Sequence, residues 1–436
     1  MSFYNGVSCL GLFVLVGIAW IFSENRKNFN WRVVGWGICI QVLVALFIFR
    51  VPAGAKVFLT INDMVIRIMD SASAGARFMF GRLAISPGQI SESGEASLGF
   101  ILAFQAFPTI IFFSSLMAVL YFFKILPLVV RAFAYVFTKL MKVSGAESLV
   151  TASSVFAGVE SALTVKPYLA AMTRSELCVV LTAGMATVSS NILALYIYSL
   201  KDCFPAIAGH LISASLLSAP AALIMAKVLV PEGAVPETLG LHVKLQATED
   251  RTLFEAIING ANAGLRMIVG ISALLIAILG LLALCDAGLV FLGSKIQAAA
   301  GFSMNLSLKN LCGYAFYPFS LIMGVPPQDA WAVARIVGER LIATEVVSYQ
   351  DLAAALAKGE LHDPRSAVIA TYALCGFAHL ASMAIFVGGL TALAPERTRD
   401  IAKVAFKALV AATLACMMTA CIAGTFFTGQ SVLFGK

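Results

Sequence analysis

The chain has 436 residues, 60% of them hydrophobic and 12% charged, with a formal net charge of +7 and a mean hydropathy of +0.92. Soluble domains carry about 25% charged residues, so the composition excludes an ordinary soluble globular protein and indicates an integral membrane protein. The basic balance does not indicate nucleic-acid binding, because the cations cluster in short connections between apolar runs, which is the pattern of cytoplasmic loops.

A first span is predicted at about Val7–Phe22 and a second at about Val33–Phe49, with Arg26, Lys27 and Arg32 between them. The first is read as a retained helix, because a second span follows it directly. The basic loop is expected inside, which puts both termini outside. Residues 55–85 interleave Lys56, Asp63, Arg67, Asp70, Arg77 and Arg82 with apolar residues and predict an interfacial amphipathic helix. A polar loop over 86–97 leads to a third span at about Leu98–Phe123, then a basic amphipathic stretch to about Lys142.

Residues 145–172 are too short and too polar for two spans. They predict a re-entrant helix–turn–helix with its tip near Gly158–Ser161. Backbone of that kind is tolerated at membrane depth only where it is buried in protein or lines a cavity. A fourth span is expected at about Leu177–Leu200, interrupted near Thr187–Asn191, and a fifth at about Ile207–Val230. After the polar loop Pro231–Arg251 comes a sixth, about Ala263–Leu284. A second hairpin is predicted over 309–357, with its turn at Gly324-Val325-Pro326-Pro327 and Glu345 beyond. A seventh span at about Ala367–Leu390 and an eighth at about Val404–Phe427 complete the count.

The fourth and seventh spans carry one motif. Gly184-Met185-Ala186-Thr187-Val188-Ser189-Ser190 and Gly376-Phe377-Ala378-His379-Leu380-Ala381-Ser382 both read Gly, apolar, Ala, polar, apolar, small, Ser. Each follows a hairpin that carries a candidate acid, Glu160 or Glu345, and a carboxylate inside a membrane is costly and usually functional. The units at 145–230 and 309–429 therefore read as an inverted repeat. The chain divides into 1–144 (scaffold spans one to three with interfacial helices), 145–230 (first transport repeat, with the first hairpin and spans four and five), 231–308 (cytoplasmic loop and scaffold span six) and 309–436 (second transport repeat, with the second hairpin and spans seven and eight). The fold class is all-α and polytopic, with about eight transmembrane helices and two opposed re-entrant hairpins.

No phosphate loop, HExxH, GxSxG or zinc spacing appears, and the nine cysteines form no CxxC. Neither an enzyme nor a cofactor is expected, and the lack of a nucleotide-binding domain favours ion-driven transport.

With these motifs in hand the chain resembles the concentrative nucleoside transporter family over nearly its whole length. The resemblance is carried by Glu160-Ser161-Ala162-Leu163-Thr164-Val165-Lys166-Pro167-Tyr168-Leu169, Phe316-Tyr317-Pro318, Met323-Gly324-Val325-Pro326, Glu345-Val346-Val347-Ser348-Tyr349 and Ala370-Thr371-Tyr372-Ala373-Leu374-Cys375-Gly376-Phe377-Ala378. It implies a homotrimer in the inner membrane that imports nucleosides with H+ or Na+ by an elevator motion. By position, it implies that Gly158, Val159, Glu160 and Ile192 face the base. Glu345, Phe377, His379 and Ser382 face the ribose, and Ser154, Ala157, Thr187, Glu160, Glu345 and His379 take part in ion coupling. A Na+ site, where Na+ is used, falls near Ser154, Ala157 and Thr187.

Three departures from the family pattern bear on substrate and ion. The first hairpin tip is one residue short and has Val159 where an amide is usual, so a donor and an acceptor to the base are gone. His379 replaces an Asn and can titrate. Ser154 stands where Na+-coupled members carry Asn. These changes favour H+ over Na+ and relaxed base selectivity. The alternatives are a carrier of a modified nucleoside or a non-nucleoside solute, and a passive channel or membrane-bound enzyme. Ion pairs of Glu160 with Lys166, and of Glu345 with Arg335 or Arg340, are the structural alternatives for the two acids.

Overall fold

A computed structural model of the chain describes residues 2–85, 94, 96–201, 203–241, 243, 250–300 and 306–429, the side chains of 159, 160, 191 and 296–300 excepted. Two apolar helices open the fold, α1 (Phe3–Ile21) and α2 (Trp31–Arg50). Asn30 caps α2 by accepting the Val33 amide, one of the donors left free at a helix start. The amphipathic segment forms one helix, α3 (Pro52–Phe80), with proline in its first turn, where a missing N–H costs nothing. Most of the polar loop expected over 86–97 lies outside the described residues.

The third span departs from expectation. The chain makes a single turn, α4 (Leu102–Gln105), pauses at Ala106 and restarts as α5 (Phe107–Phe122). Pro108 has no N–H to continue the ladder back to Phe104, so the helix restarts around it. The basic stretch forms the amphipathic helix α6 (Ile125–Met141).

In the first hairpin only one arm is α-helical. α7 (Gly145–Ala157) begins with a capping box in which Ser144 and Glu147 bond each other's backbone amides. The return arm, expected to be a second helix, is an irregular 3-10 run over Gly158–Tyr168 that contains Pro167. A second capping box, Thr173 with Glu176, starts α8 (Arg174–Ala186). The fourth span then breaks and resumes as α9 (Ser190–Leu200), and α10 (Ile207–Leu229) is unbroken.

The sixth span is longer than expected. α11 (Leu253–Ala300) has 48 residues, a length of about 72 Å, and packs along α5. Hydropathy marks only its apolar middle, while Asn259, Asn262 and Lys295 at its flanks belong to the same helix.

The second repeat runs through α12 (Leu308–Ile322), α13 (Pro327–Glu339), α14 (Glu345–Ala357), α15 (Pro364–Leu374), α16 (Leu380–Leu393) and α17 (Thr398–Phe426). Its order matches α6, α7, the 3-10 arm, α8, α9 and α10: an amphipathic helix, two hairpin arms, two half-helices and one full helix. That correspondence moves the second hairpin tip. The turn at Gly324 joins α12 to α13, whereas the residues equivalent to the first tip are 340–344, between α13 and α14.

Among the described residues six helices are long and apolar enough to cross a membrane: α1, α2, α4–α5, α10, α11 and α17 with the turn before it. The other two of the eight expected spans are the broken pairs, whose halves hold 11 to 14 residues each. α10 and α17 pack against each other and are buried nearly throughout, with α8, α15 and α1 around them. They form the centre on which both broken spans are mounted.

Candidate functional site

The two broken spans meet at their breaks. α8 ends at Ala186 and α9 starts at Ser190; α15 ends at Leu374 and α16 starts at Leu380. Gly376 lies in the break of the seventh span at φ +153°, and a Cβ there would sit 2.8 Å from the Ala186 carbonyl oxygen and 2.6 Å from Cys416 Sγ. Only glycine permits this approach of one break to the other. Gly158 does the same at the first hairpin tip: its φ is +53°, and a Cβ would meet Ser189 Cβ at 2.8 Å. Each tip therefore rests on the break of its own repeat's span.

Hydrogen bonds fasten these contacts. Thr187 Oγ1 donates to the Ser154 and Ala183 carbonyls at 2.8 Å each. Ser215 Oγ donates to Val155 and Val188, at 3.2 and 3.4 Å. Ser154 Oγ donates to the Thr151 carbonyl at 2.9 Å. At the second tip Arg340 Nη1 donates to the Ala373 carbonyl at 2.6 Å, and the Leu380 amide donates to Leu341 O at 3.2 Å. The breaks leave carbonyls and amides without helical partners, and the hairpin tips and serines satisfy them.

Four side chains converge beside the second tip. Glu345, the first residue of α14, is buried. Its Oε1 accepts from the Tyr196 hydroxyl at 2.7 Å. Its Oε2 lies 2.7 Å from His379 Nε2 but off the line of the ring N–H, so that oxygen has no aligned donor among the described residues. His379 is the N-cap of α16: its Nδ1 accepts the Ser382 amide at 3.2 Å. That bond assigns the neutral ring proton to Nε2, which is 2.6 Å from Ser382 Oγ. The Ser382 hydroxyl hydrogen is then left to donate elsewhere. A buried carboxylate oxygen, an imidazole and a hydroxyl in one place form a set suited to a ligand's hydroxyl groups.

The structure thus brings together Glu345, His379 and Ser382, and separately Ser154 with Thr187. Ala157 ends α7, and Gly158 opens the 3-10 arm beside Ser189. Ile192 lies in the first turn of α9, one helical turn before Tyr196 and on the same face. Phe377 is buried in the break beside His379. The side chains of Val159 and Glu160, and with them the shortened base pocket and a pairing of Glu160 with Lys166, lie outside the described residues. The alternative partners of Glu345 are resolved: Arg340 bonds a carbonyl of α15, and no ion pair of Arg335 or Arg340 with Glu345 forms.

Tyr196 was not legible in the sequence. It stacks on Tyr349 with ring centroids 4.3 Å apart, and the Tyr349 hydroxyl donates to Thr371 O at 3.0 Å. Its only sequence signal is a phenol within the apolar run Ile192–Ile197 of α9.

Comparison with known proteins gives one answer along the chain. Family models match at 10–83 ("Na+ dependent nucleoside transporter N-terminus"), 103–202 ("Nucleoside recognition") and 210–424 ("Na+ dependent nucleoside transporter C-terminus"). Solute carrier family 28 member 3 of Mus musculus is 37% identical over 434 residues, which are 96% of this chain and 58% of that protein. The chain thus spans little more than half the length of that mammalian relative. Nucleoside permease NupC of Helicobacter pylori is 34% identical over 429 residues, covering 98% of this chain and 99% of the permease. The structure of CNTnw in an inward-facing substrate-bound state is 32% identical, covers 97% of this chain and 98% of its own, and superposes with a TM-score of 0.85. A CNTnw variant in an intermediate 1 state gives 0.86 at 31% identity, covering 98% and 100%. The chain belongs to the concentrative nucleoside transporter family, an all-α family of multi-pass membrane proteins whose named relatives are transporters and not enzymes.

Proposed function

We propose that this family member is a secondary active carrier that imports nucleosides across the inner membrane, driven by a cation gradient. The observation that carries the reading is the buried Glu345, one carboxylate oxygen of which lacks an aligned donor among the described residues, held beside His379 and Ser382 at the meeting of two broken spans. Discontinuous helices with a polar site at their breaks are the usual construction of a carrier's substrate site. In this reading Glu345, His379 and Ser382 take the ribose, Phe377 packs against it, and Gly158, Val159, Glu160 and Ile192 face the base. The protein assembles as a homotrimer, with both termini outside.

For the coupling ion we favour H+. Ser154 supplies no amide oxygen, and the carbonyls of Ser154, Val155 and Val188 already accept hydrogen bonds from Thr187 and Ser215. A Na+ ion needs several free oxygens in one cage. Na+ is the second reading, supported by the description of the matching family model and by the convergence of the Val155 and Val188 carbonyls on Ser215. Proteoliposomes given an inward pH gradient and no sodium are expected to accumulate labelled uridine. Accumulation that needs sodium and ignores the pH gradient would overturn the H+ reading.

Transport is proposed to proceed by an elevator motion of the two repeats. The sequence reading places α1 in the static frame with α2, the third span and α11, but its bonds favour the moving body. Arg365 of α15 donates to Tyr4 O, Asn5 Oδ1 and Ser8 Oγ at the start of α1. At its other end Glu24 pairs with Arg174 of α8 and Lys407 of α17. We therefore count α1 with the repeats and take α5 and α11, which pack against each other, as the frame.

A further inference from the structure

The Tyr196 hydroxyl is one bond from the proposed sugar site yet belongs to none of the motifs that carry the family resemblance. It sits on α9, in the first repeat, and its partner Glu345 is in the second. Tyr196 is 1% exposed, and its stack on Tyr349, itself tethered to Thr371 O, fixes where its hydroxyl points. A phenol can donate only one hydrogen bond, and here it is spent on Oε1.

That leaves the carboxylate asymmetric. Oε1 holds Tyr196, and Oε2, 2.7 Å from His379 Nε2, is the oxygen without an aligned donor among the described residues. A ligand with two adjacent hydroxyls would bond the carboxylate oxygen through one and find only the His379 ring and the Ser382 hydroxyl for the other. Hydrogen bonds to charged groups are worth about twice those between neutral ones.

We propose that Tyr196 is a positioning residue that sets sugar selectivity: by occupying Glu345 Oε1 it makes the carrier depend strongly on one ribose hydroxyl and weakly on the other. The proposal rests on the reading that Glu345 meets the sugar.

The test measures binding of uridine, 2′-deoxyuridine and 3′-deoxyuridine to the purified full chain and to Tyr196→Phe, which keeps the ring and its stack. In the unaltered protein the two deoxy penalties are expected to differ by about tenfold. In Tyr196→Phe the freed Oε1 takes the second hydroxyl, and the penalties are expected to converge to within about threefold. A merely structural tyrosine would weaken all three compounds by one factor and leave the gap unchanged, which would overturn the proposal. Tyr349→Phe, whose hydroxyl bonds a backbone carbonyl, is expected to move all three affinities together; if it closes the gap as well, the effect is general loosening and the proposal fails. Glu345→Gln separates the two levels: unchanged uridine binding there sinks the assignment of the sugar site itself, whereas lost binding with an unaltered gap in Tyr196→Phe sinks the Tyr196 inference alone.

Discussion

Glu345 Oε2 and His379 Nε2 lie 2.7 Å apart, although 34 positions and the whole of α14 and α15 separate the two residues in sequence. The start of α14, just past the hairpin tip, supplies the acid and the break of the seventh span supplies the imidazole, so neither alone makes the site. Glu345→Gln keeps the shape of the side chain but replaces an acceptor with a donor and removes the charge. Uridine uptake is expected to fall by about tenfold to a hundredfold, corresponding to about 1.4–2.8 kcal/mol, with expression and assembly unchanged. Normal uptake at saturating and subsaturating uridine would remove Glu345 from the site.

His379 does two jobs that different substitutions separate. Asparagine is a good N-cap, so His379→Asn is expected to hold the start of α16 and retain measurable uptake. His379→Ala loses both the cap and the partner of Glu345; about 1 kcal/mol of stability and most of the uptake are expected to go together. Thermal unfolding and uptake of both variants decide it, and equal behaviour of Asn and Ala would show that the cap is irrelevant.

The sequence made much of this site legible and missed part of it for identifiable reasons. α1, α2, α10 and α17 announce themselves as long apolar runs, and the break at 187–189 shows as Thr and Ser inside such a run. The sequence places the second tip at Gly324-Val325-Pro326-Pro327 because glycine and proline are the strongest turn signals. The true tip, Arg340–Thr344, is Arg-Leu-Ile-Ala-Thr, which reads as helix and turns only because Arg340 and Leu341 find partners at the break of the seventh span. Tyr196 was invisible because its partner is 149 residues away.

Gly376 is where the two breaks touch. Gly376→Ala adds a Cβ at 2.8 Å from a carbonyl oxygen, on a backbone conformation that favours glycine. A cost of at least about 1–3 kcal/mol and loss of uptake are expected, because the contact cannot relax without separating α8 from the second repeat. Gly388, in α16 with open space around it, serves as the control: Gly388→Ala is expected to be harmless or mildly stabilising. Similar melting temperatures for the two variants would contradict the close approach.

The placement of α1 in the moving body has its own test. Burial pushes the Glu24 carboxyl up, but Lys407 and Arg174 outweigh it and hold the group below its ordinary value, so the link persists at neutral pH. With the exposed Cys203 and Cys285 replaced, the pair Glu24→Cys and Lys407→Cys bridged by a short bifunctional maleimide is expected to leave uptake intact. Arrest of uptake on bridging would return α1 to the static frame.

The central claim is that the chain carries nucleosides by alternating access at the Glu345 site. Counterflow tests it most directly. Proteoliposomes are loaded with unlabelled uridine, diluted into a trace of labelled uridine without any ion gradient, and followed over time. The account expects the label to rise transiently above its equilibrium level and then decay, with Glu345→Gln abolishing the overshoot. A smooth approach to equilibrium without overshoot, or an overshoot that Glu345→Gln leaves unchanged, would contradict it.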